Sequence, residues 1–181
     1  PDYAAMPATA IHLGALASML VPAKARDLSG VVYEVFHCVV DNIEPVSPME
    51  ALFYMGCPQC KKKMAVPRPC EHTDAAIPIF LGNVTFVTLE HQSQAKVIGD
   101  VMESLLQVPA SDCIPDAEGY APKLEAALDT LRSTPYNLKI IIAMTPDGDK
   151  NVLEIVHAVP TLNVQMGVAS FPSVSWRLVA T

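Results

Sequence analysis

The chain has 181 residues, which is enough for one domain with a substantial buried core. Apolar residues make up 51% and charged residues 17% of the chain, so either the core is large or a partner covers an apolar surface. The formal net charge of −7 argues against strong binding to the phosphates of nucleic acid. No apolar run approaches the ~18 residues of a membrane-spanning helix and no secretory signal is visible, so we expect no membrane contact.

The first part of the chain predicts a helical turn followed by a long strand. Residues 1–30 form an N-terminal segment, in which residues 11–20 carry a helical stripe of apolar side chains. Residues 31–43 are dense in β-branched and aromatic side chains. A strand of that length must bend, as the first strand of a small barrel does. Residues 51–55 predict a second strand that leads directly to Cys57.

A cysteine-rich loop follows this second strand. Cys57-Pro58-Gln59-Cys60 has the spacing of a zinc knuckle, and Cys70-Glu71-His72 can complete a Cys3His ligand set. We therefore expect a zinc ribbon at about residues 51–76 that holds one structural Zn²⁺ ion through Cys57, Cys60, Cys70 and His72. A loop of the same shape without metal and a redox Cys-x-x-Cys are the alternatives. The redox alternative is disfavoured because a basic hairpin with prolines follows Cys60, where a thioredoxin-like motif would open a helix.

Positive charge is concentrated in the same loop. Four of the twelve basic residues lie there, namely Lys61, Lys62, Lys63 and Arg68. If the domain contacts a polyanion, we expect the contact at these residues. Phe53 and Tyr54, just before the loop, are candidate exposed platforms on which single-stranded bases could stack. The alternative is a solvated hairpin that needs its charge only for solubility.

The second half of the chain predicts strands on either side of two helices. In chain order, the predicted elements are strands at 77–81 and 84–89 separated by Gly82-Asn83, a helix at 94–107 with Ser93 as N-cap, a helix at 122–132, and strands at 136–144 and 151–159. Asp147-Gly148-Asp149 predicts the turn between the last two strands. Residues 161–181 contain the only tryptophan but show no readable pattern, so we treat them as a C-terminal extension.

This order of elements predicts a mainly β protein with helices, specifically an OB-fold Greek-key barrel at residues 31–160 with an inserted zinc ribbon. The layout resembles the zinc-ribbon OB domain at the C-terminal end of the replication protein A large subunit. The residues that carry the resemblance are 31–40 as first strand, 54–60 at the start of the ribbon, 84–89 followed by 95–99, and the pair 138–144 with 152–159. The chain departs from that family in its Cys-x-His half-site and in lacking a long closing helix.

Related families share this architecture, among them the C-terminal OB region of shieldin complex subunit 2, the conserved telomere maintenance component of the CST complex and the meiosis-specific OB protein. Of these, the chain resembles the shieldin type in its weakly basic, divergent ribbon and its apolar composition. The resemblance implies a nuclear, non-catalytic module of a single-stranded-DNA-binding or DNA-end-protection complex that acts in double-strand break repair. It also implies a protein subunit as partner and weak contact with single-stranded DNA. A purely architectural interaction domain without nucleic-acid binding is the alternative, because the net charge is negative.

No catalytic residue is predicted. Four protein ligands would leave no open position on the zinc ion for water, so Lewis-acid chemistry is not expected. Zinc deaminases combine a His-x-Glu motif with Pro-Cys-x-x-Cys, and the chain contains no His-x-Glu. We therefore expect that the protein is not an enzyme.

Overall fold

The computed structural model describes residues 1–20, 31–47, 51–67, 69–113, 120–144 and 150–161. Within these ranges the strands are β1 (Thr9–Ala10), β2 (Tyr33–Pro45), β3 (Phe53–Gly56), β4 (Ile77–Val87), β5 (Gln92–Ile98), β6 (Pro135–Met144) and β7 (Asn151–Pro160). The helices are α1 (Leu13–Ser18), α2 (Asp100–Leu106) and α3 (Tyr120–Ser133), with a short 3₁₀ helix at Ala110–Cys113. The prediction of a mainly β protein with a few helices is confirmed.

Five strands are connected in a ring of pairings. β2 pairs antiparallel with both β4 and β6, β4 pairs antiparallel with β5, β5 pairs parallel with β7, and β7 pairs antiparallel with β6. β2 can pair with two strands because it bends. Its first half pairs with β6 and its second half pairs with β4. His37 lies at the first irregularity with a φ of 55°. The predicted long, bent first strand is therefore confirmed.

The core lies inside this ring and under the helices. Side chains that alternate along β2, β4 and β6 point inward, and α2 and α3 add further apolar side chains. The largest of these buried side chains include Val35, Phe80, Phe86, Met102, Leu105, Leu131, Leu138 and Ile140. Cys38 is buried with them, and burial raises the pKa of its thiol to about 12. That thiol is therefore inert at neutral pH.

Three predicted elements were wrong. The strands expected at 77–81 and 84–89 are one continuous strand, because Gly82 pairs with Pro45 and Val97 inside the sheet instead of forming a turn. The helix expected at 94–107 begins only at Asp100. Residues 92–98 are a strand in which Ala95 and Val97 alternate toward the core.

The other predicted elements lie where they were expected. α1, α3, β3, β6 and β7 occur at the predicted positions, with ends that differ by a few residues. The predicted turn at residues 147–149 and the extension beyond residue 161 lie outside the described residues. In the part of the chain that the structure describes, no helix has the length and apolar character needed to cross a membrane.

Candidate metal centre and nucleic-acid groove

The cysteine loop (residues 57–72) is built on a small hairpin. The Met64 N–H donates to the Met55 carbonyl at 2.8 Å, so the chain after β3 folds back on that strand. At the tip, the Cys57 N–H donates to the Lys62 carbonyl at 3.0 Å and the Lys61 N–H donates to the Cys57 carbonyl at 2.9 Å. Lys61 adopts a φ of 58° to close this turn. The turn brings the sulfur atoms of Cys57 and Cys60 within 4.8 Å of each other.

The structure brings all four predicted metal ligands together. One ligand atom from each of Cys57, Cys60, Cys70 and His72 lies within 4.8 Å of the others, and Cys57 Sγ is 3.4 Å from His72 Nδ1. Cys57 is fully buried, and the other three are half-buried. Gln59 Nε2 donates to Asp74 Oδ2 at 2.6 Å, which connects the two halves of the loop. Three sulfur atoms and one imidazole nitrogen at this separation fit a Cys3His site.

The loop also lowers the pKa of one thiol. A hydrogen bond from the Cys60 backbone, with others from the Gln59 backbone and from the Cys60 and Cys70 thiols, lowers the pKa of Cys57 to about 6, although burial acts against it. The Lys62 backbone lowers the pKa of Cys60, but burial and the neighbouring sulfur atoms outweigh it and raise that pKa overall. The thiolate is the form of cysteine that binds metal, so the lowered pKa of Cys57 favours metal binding.

The predicted DNA-contacting residues of the hairpin differ in their surroundings. Lys61, Lys62 and Lys63 are exposed. The Tyr54 hydroxyl donates to the Lys61 carbonyl at 2.7 Å. Burial raises the pKa of this hydroxyl. Phe53 packs partly against the core. Tyr54 and Phe53 are thus half-buried side chains that support the hairpin, and they line a cleft of about 330 Å³ together with Lys63. Arg68 lies outside the described residues.

A second cleft, of about 420 Å³, crosses the sheet and was not predicted. We call it the strand groove; it is lined by Leu20, Val46, Asn83, Gln94, Ala95, Lys96, Ala143, Asn151, Val152, Leu153 and Glu154. The strand register pairs Asn83 with Lys96 and Lys96 with Glu154, so these three polar residues form a row across β4, β5 and β7. Burial raises the pKa of Glu154, although the charge of Lys96 acts to lower it.

The polar residues of the strand groove carry no sequence motif, because they come from separate strands. The sequence does contain one signal for the strand β5: polar residues alternate with apolar ones along it, and Gln94 and Lys96 flank the buried Ala95. The incorrect helix prediction at 94–107 hid that alternation. The predicted metal ligands, in contrast, lie within one short loop.

Comparison with known proteins gives the fold. No protein-family model and no curated protein matches the chain. A solved structure of a replication protein A heterotrimer bound to single-stranded DNA matches 84% of this chain with a TM-score of 0.61 and 16% identity, and this chain spans 36% of the matching chain. Yeast replication protein A bound to single-stranded DNA matches 88% of this chain, and 92% of its own chain, with a TM-score of 0.60 and 15% identity. The chain therefore shares the fold of the matched parts of these replication protein A chains, which confirms the predicted likeness of fold.

Proposed function

We propose that the chain is a non-catalytic OB-fold module that binds single-stranded DNA along the strand groove. The observation that supports this is the row Asn83, Lys96 and Glu154 in a cleft across β4, β5 and β7. β4 and β5 are the second and third strands of the ring, and OB-fold barrels bind oligonucleotides on that face. The structural neighbours are themselves bound to single-stranded DNA. In this proposal the ring of five strands forms the Greek-key barrel.

The binding should be weak and strongly dependent on salt. Lys96 supplies a positive charge to the groove, but Glu154 offsets it, and the whole chain carries a net charge of −7. None of the described groove residues is aromatic, so the ~1–3 kcal/mol that each stacked base can contribute is missing there. Asn83 and Gln94 can donate to or accept from base edges. Lys61, Lys62 and Lys63 in the cysteine loop would extend the path of the backbone.

The cysteine loop is proposed to hold a structural zinc ion. Cys57, Cys60, Cys70 and His72 would be its ligands, and a bound Zn²⁺ ion would supply a fixed cross-link between the two halves of the loop. Four protein ligands leave no position for a reacting water, which supports a module without catalytic activity. The loop would then be a zinc ribbon inserted between β2 and β4.

A protein subunit is the proposed partner. The chain is rich in apolar residues at 51%, and large apolar side chains are exposed at Phe36, Met55, Ile77 and Leu89. With the resemblance described above, this supports a nuclear DNA-end-protection complex of the shieldin type. A purely architectural domain without DNA binding is the second candidate, favoured by the negative net charge.

Fluorescence anisotropy with a labelled oligonucleotide, titrated at several salt concentrations, tests the proposal. Lys96→Gln should weaken binding and lower the slope of log K against log salt by about 0.7, the loss of one phosphate contact on a single strand. Glu154→Gln should strengthen binding because it removes a negative charge from the groove. Lys123→Gln, on the outer side of α3 beside Asp112, is the control and should change little.

The outcomes separate the two candidates. If Lys96→Gln and Glu154→Gln shift affinity in opposite directions, the groove is the DNA site. If only a triple charge reversal of Lys61, Lys62 and Lys63 weakens binding, the cysteine loop is the site and the groove proposal is wrong. If the native protein shows no binding at low salt, the architectural candidate stands.

A further inference from the structure

A second group of metal-ligating side chains lies outside both the cysteine loop and the strand groove. We call His12, Glu90 and His91 the histidine cluster. One ligand atom from each lies within 4.8 Å of the others, and all three residues are exposed. His12 Nε2 is 3.3 Å from Glu90 Oε2, and the two imidazole rings meet edge to face with centroids 5.1 Å apart.

The fold holds the two halves of this cluster in place from opposite sides. His12 immediately precedes α1, whose Leu13 and Leu16 are buried in the core. Glu90 and His91 lie in the turn between β4 and β5, where the Thr88 N–H donates to the His91 carbonyl at 2.8 Å. These anchors fix the backbone of both segments, so His12 meets Glu90 and His91 although it is far from them in sequence.

Gly14 makes room for His91. A Cβ atom added to Gly14 would lie 2.6 Å from Nε2 of His91 and 2.9 Å from two of its ring carbons. No Cβ contact that short is sustained, so any side chain at this position would push the His91 ring away. The position of the His91 ring in the cluster therefore depends on glycine at residue 14.

We propose that the histidine cluster binds one divalent transition-metal ion of the zinc type. Two imidazoles and one carboxylate are a recurrent ligand set for such ions, and three protein ligands leave positions open to solvent. The ion would face a cavity of about 500 Å³, which His12 and Glu90 line together with apolar side chains that include Phe36 and Leu89. The site is thus chemically distinct from the closed Cys3His set.

The ring of His12 directs one nitrogen at Glu90. Nδ1 of His12 accepts a hydrogen bond from the Gly14 N–H at 3.3 Å, and Nε2 lies 3.3 Å from Glu90 Oε2. Nε2 of His12 and the carboxylate of Glu90 are therefore the atoms of these two residues that would bind the ion.

The bound ion would connect the N-terminal segment to the sheet. Because residues 12 and 90 are far apart in sequence, the site exists only in the folded chain, and an ion bound there raises the midpoint of thermal unfolding. This gives a readout that does not depend on DNA binding. Zinc bound by the cysteine loop would contribute equally to the native protein and to variants of the histidine cluster, so the difference between them reports the cluster alone.

The test is the number of Zn²⁺ ions bound per chain after equilibrium dialysis, measured by mass spectrometry on the native protein and on variants. His12→Ala and His91→Ala should each bind one ion fewer than the native protein, and Glu90→Gln should weaken the site by at least the ~10-fold seen when an outer-shell partner is removed. Gly14→Ala keeps all three ligands but should weaken the site too. His37→Asn is the control: His37 lines the same cavity at a φ of 55°, which asparagine tolerates.

Zinc should also raise the unfolding midpoint of the native protein and of His37→Asn by more than that of His12→Ala. Equal stoichiometry in the native protein, His12→Ala and His91→Ala would overturn the proposal. A loss of zinc from His37→Asn as large as from His12→Ala would overturn it as well. The result is the difference in Zn²⁺ ions per chain between the native protein and each variant, so it does not depend on whether the cysteine loop also holds zinc.

Discussion

The cysteine loop and the strand groove are two candidate ligand sites built in opposite ways. In the loop, the four ligand residues all lie within residues 57–72, and one ligand atom from each lies within 4.8 Å of the others. In the groove, the row Asn83, Lys96 and Glu154 forms only when β4, β5 and β7 pair in the correct register. The loop therefore depends on local spacing, and the groove depends on the assembled sheet. Each site should be separable from the other by mutation.

The largest effect is expected from removing a ligand of the cysteine loop. Cys57→Ser and His72→Ala should each abolish zinc binding by the loop, because a Cys3His site with one ligand missing loses its closed coordination. The core side chains are contributed by other elements, so the far-UV circular dichroism should stay close to native. Metal content by mass spectrometry on protein purified without added zinc is the measurement.

Glu71→Gln is the matched control for these variants. Glu71 lies between Cys70 and His72 and is exposed, so its substitution should leave the zinc content unchanged. If the two ligand variants kept as much loop zinc as Glu71→Gln, the assignment of the site would be wrong. If the sheet unfolded together with the loop, the proposed independence of the two regions would be wrong.

A pair of glycine substitutions separates the two regions in a second way. A Cβ at Gly82 would lie 2.9 Å from the backbone carbonyl oxygen of Glu44 and 3.1 Å from side-chain atoms of Leu52 and Met102. Gly82→Ala should therefore lower the free energy of unfolding by about 1–3 kcal/mol, as overpacked substitutions do. It should also weaken DNA binding, because Gly82 adjoins Asn83 in the groove. Urea unfolding and oligonucleotide anisotropy measure the two effects.

Gly56→Ala is the counterpart in the loop. A Cβ there would lie 2.5 Å from Ile79 Cδ1 and 2.8 Å from Tyr54 Cε2, which are side-chain atoms, whereas the shortest contact at Gly82 is to the backbone. We expect a smaller loss of stability than for Gly82→Ala and a weaker zinc site, because Gly56 directly precedes Cys57. An equal loss of DNA affinity in both variants would contradict the separation of the two regions.

The same contrast explains which features the sequence could predict. Cys57, Cys60, Cys70 and His72 were predictable because coordination chemistry sets their local spacing. The long strand β2 was predictable because β-branched and aromatic residues fill it. Both signals are contained in a short window of sequence.

Features that depend on tertiary pairing were harder to predict. Residues 94–98 were assigned to a helix because Ala95, Ile98 and Met102 repeat at helical spacing, but pairing with β4 and β7 makes this segment a strand. The dipeptide Gly82-Asn83 predicts a turn, but Gly82 instead permits close packing against the Glu44 backbone inside the sheet. The groove residues could not be found for the same reason, since their proximity is a property of the sheet register.

A pH-dependent effect is expected at Glu154 in the groove. Burial raises the pKa of this carboxyl group above its ordinary value of 4.5. The folded protein then binds more protons than the unfolded chain between that value and the raised pKa, so the free energy of unfolding falls as pH rises through this window. Glu154→Gln should remove that decline, and Lys96→Gln should steepen it because the charge of Lys96 favours the ionised carboxylate. Urea unfolding at a series of pH values from about 4 to about 7 measures the slopes.

The smallest effect is expected at an ion pair between the cysteine loop and α2. Lys61 Nζ of the cysteine loop lies 3.8 Å from Asp100 Oδ1 at the start of α2, and the two side chains are 47% and 87% exposed. A pair so open to solvent should couple by less than about 1 kcal/mol and lose most of that coupling at high salt. A double-mutant cycle with Lys61→Met, Asp100→Asn and the combined variant measures it by urea unfolding. A small coupling would mean that Lys61 can be changed in DNA-binding experiments without altering the stability of the sheet. A coupling well above this limit would show that the loop and the sheet form one energetic unit, and the separation between the two sites would then fail.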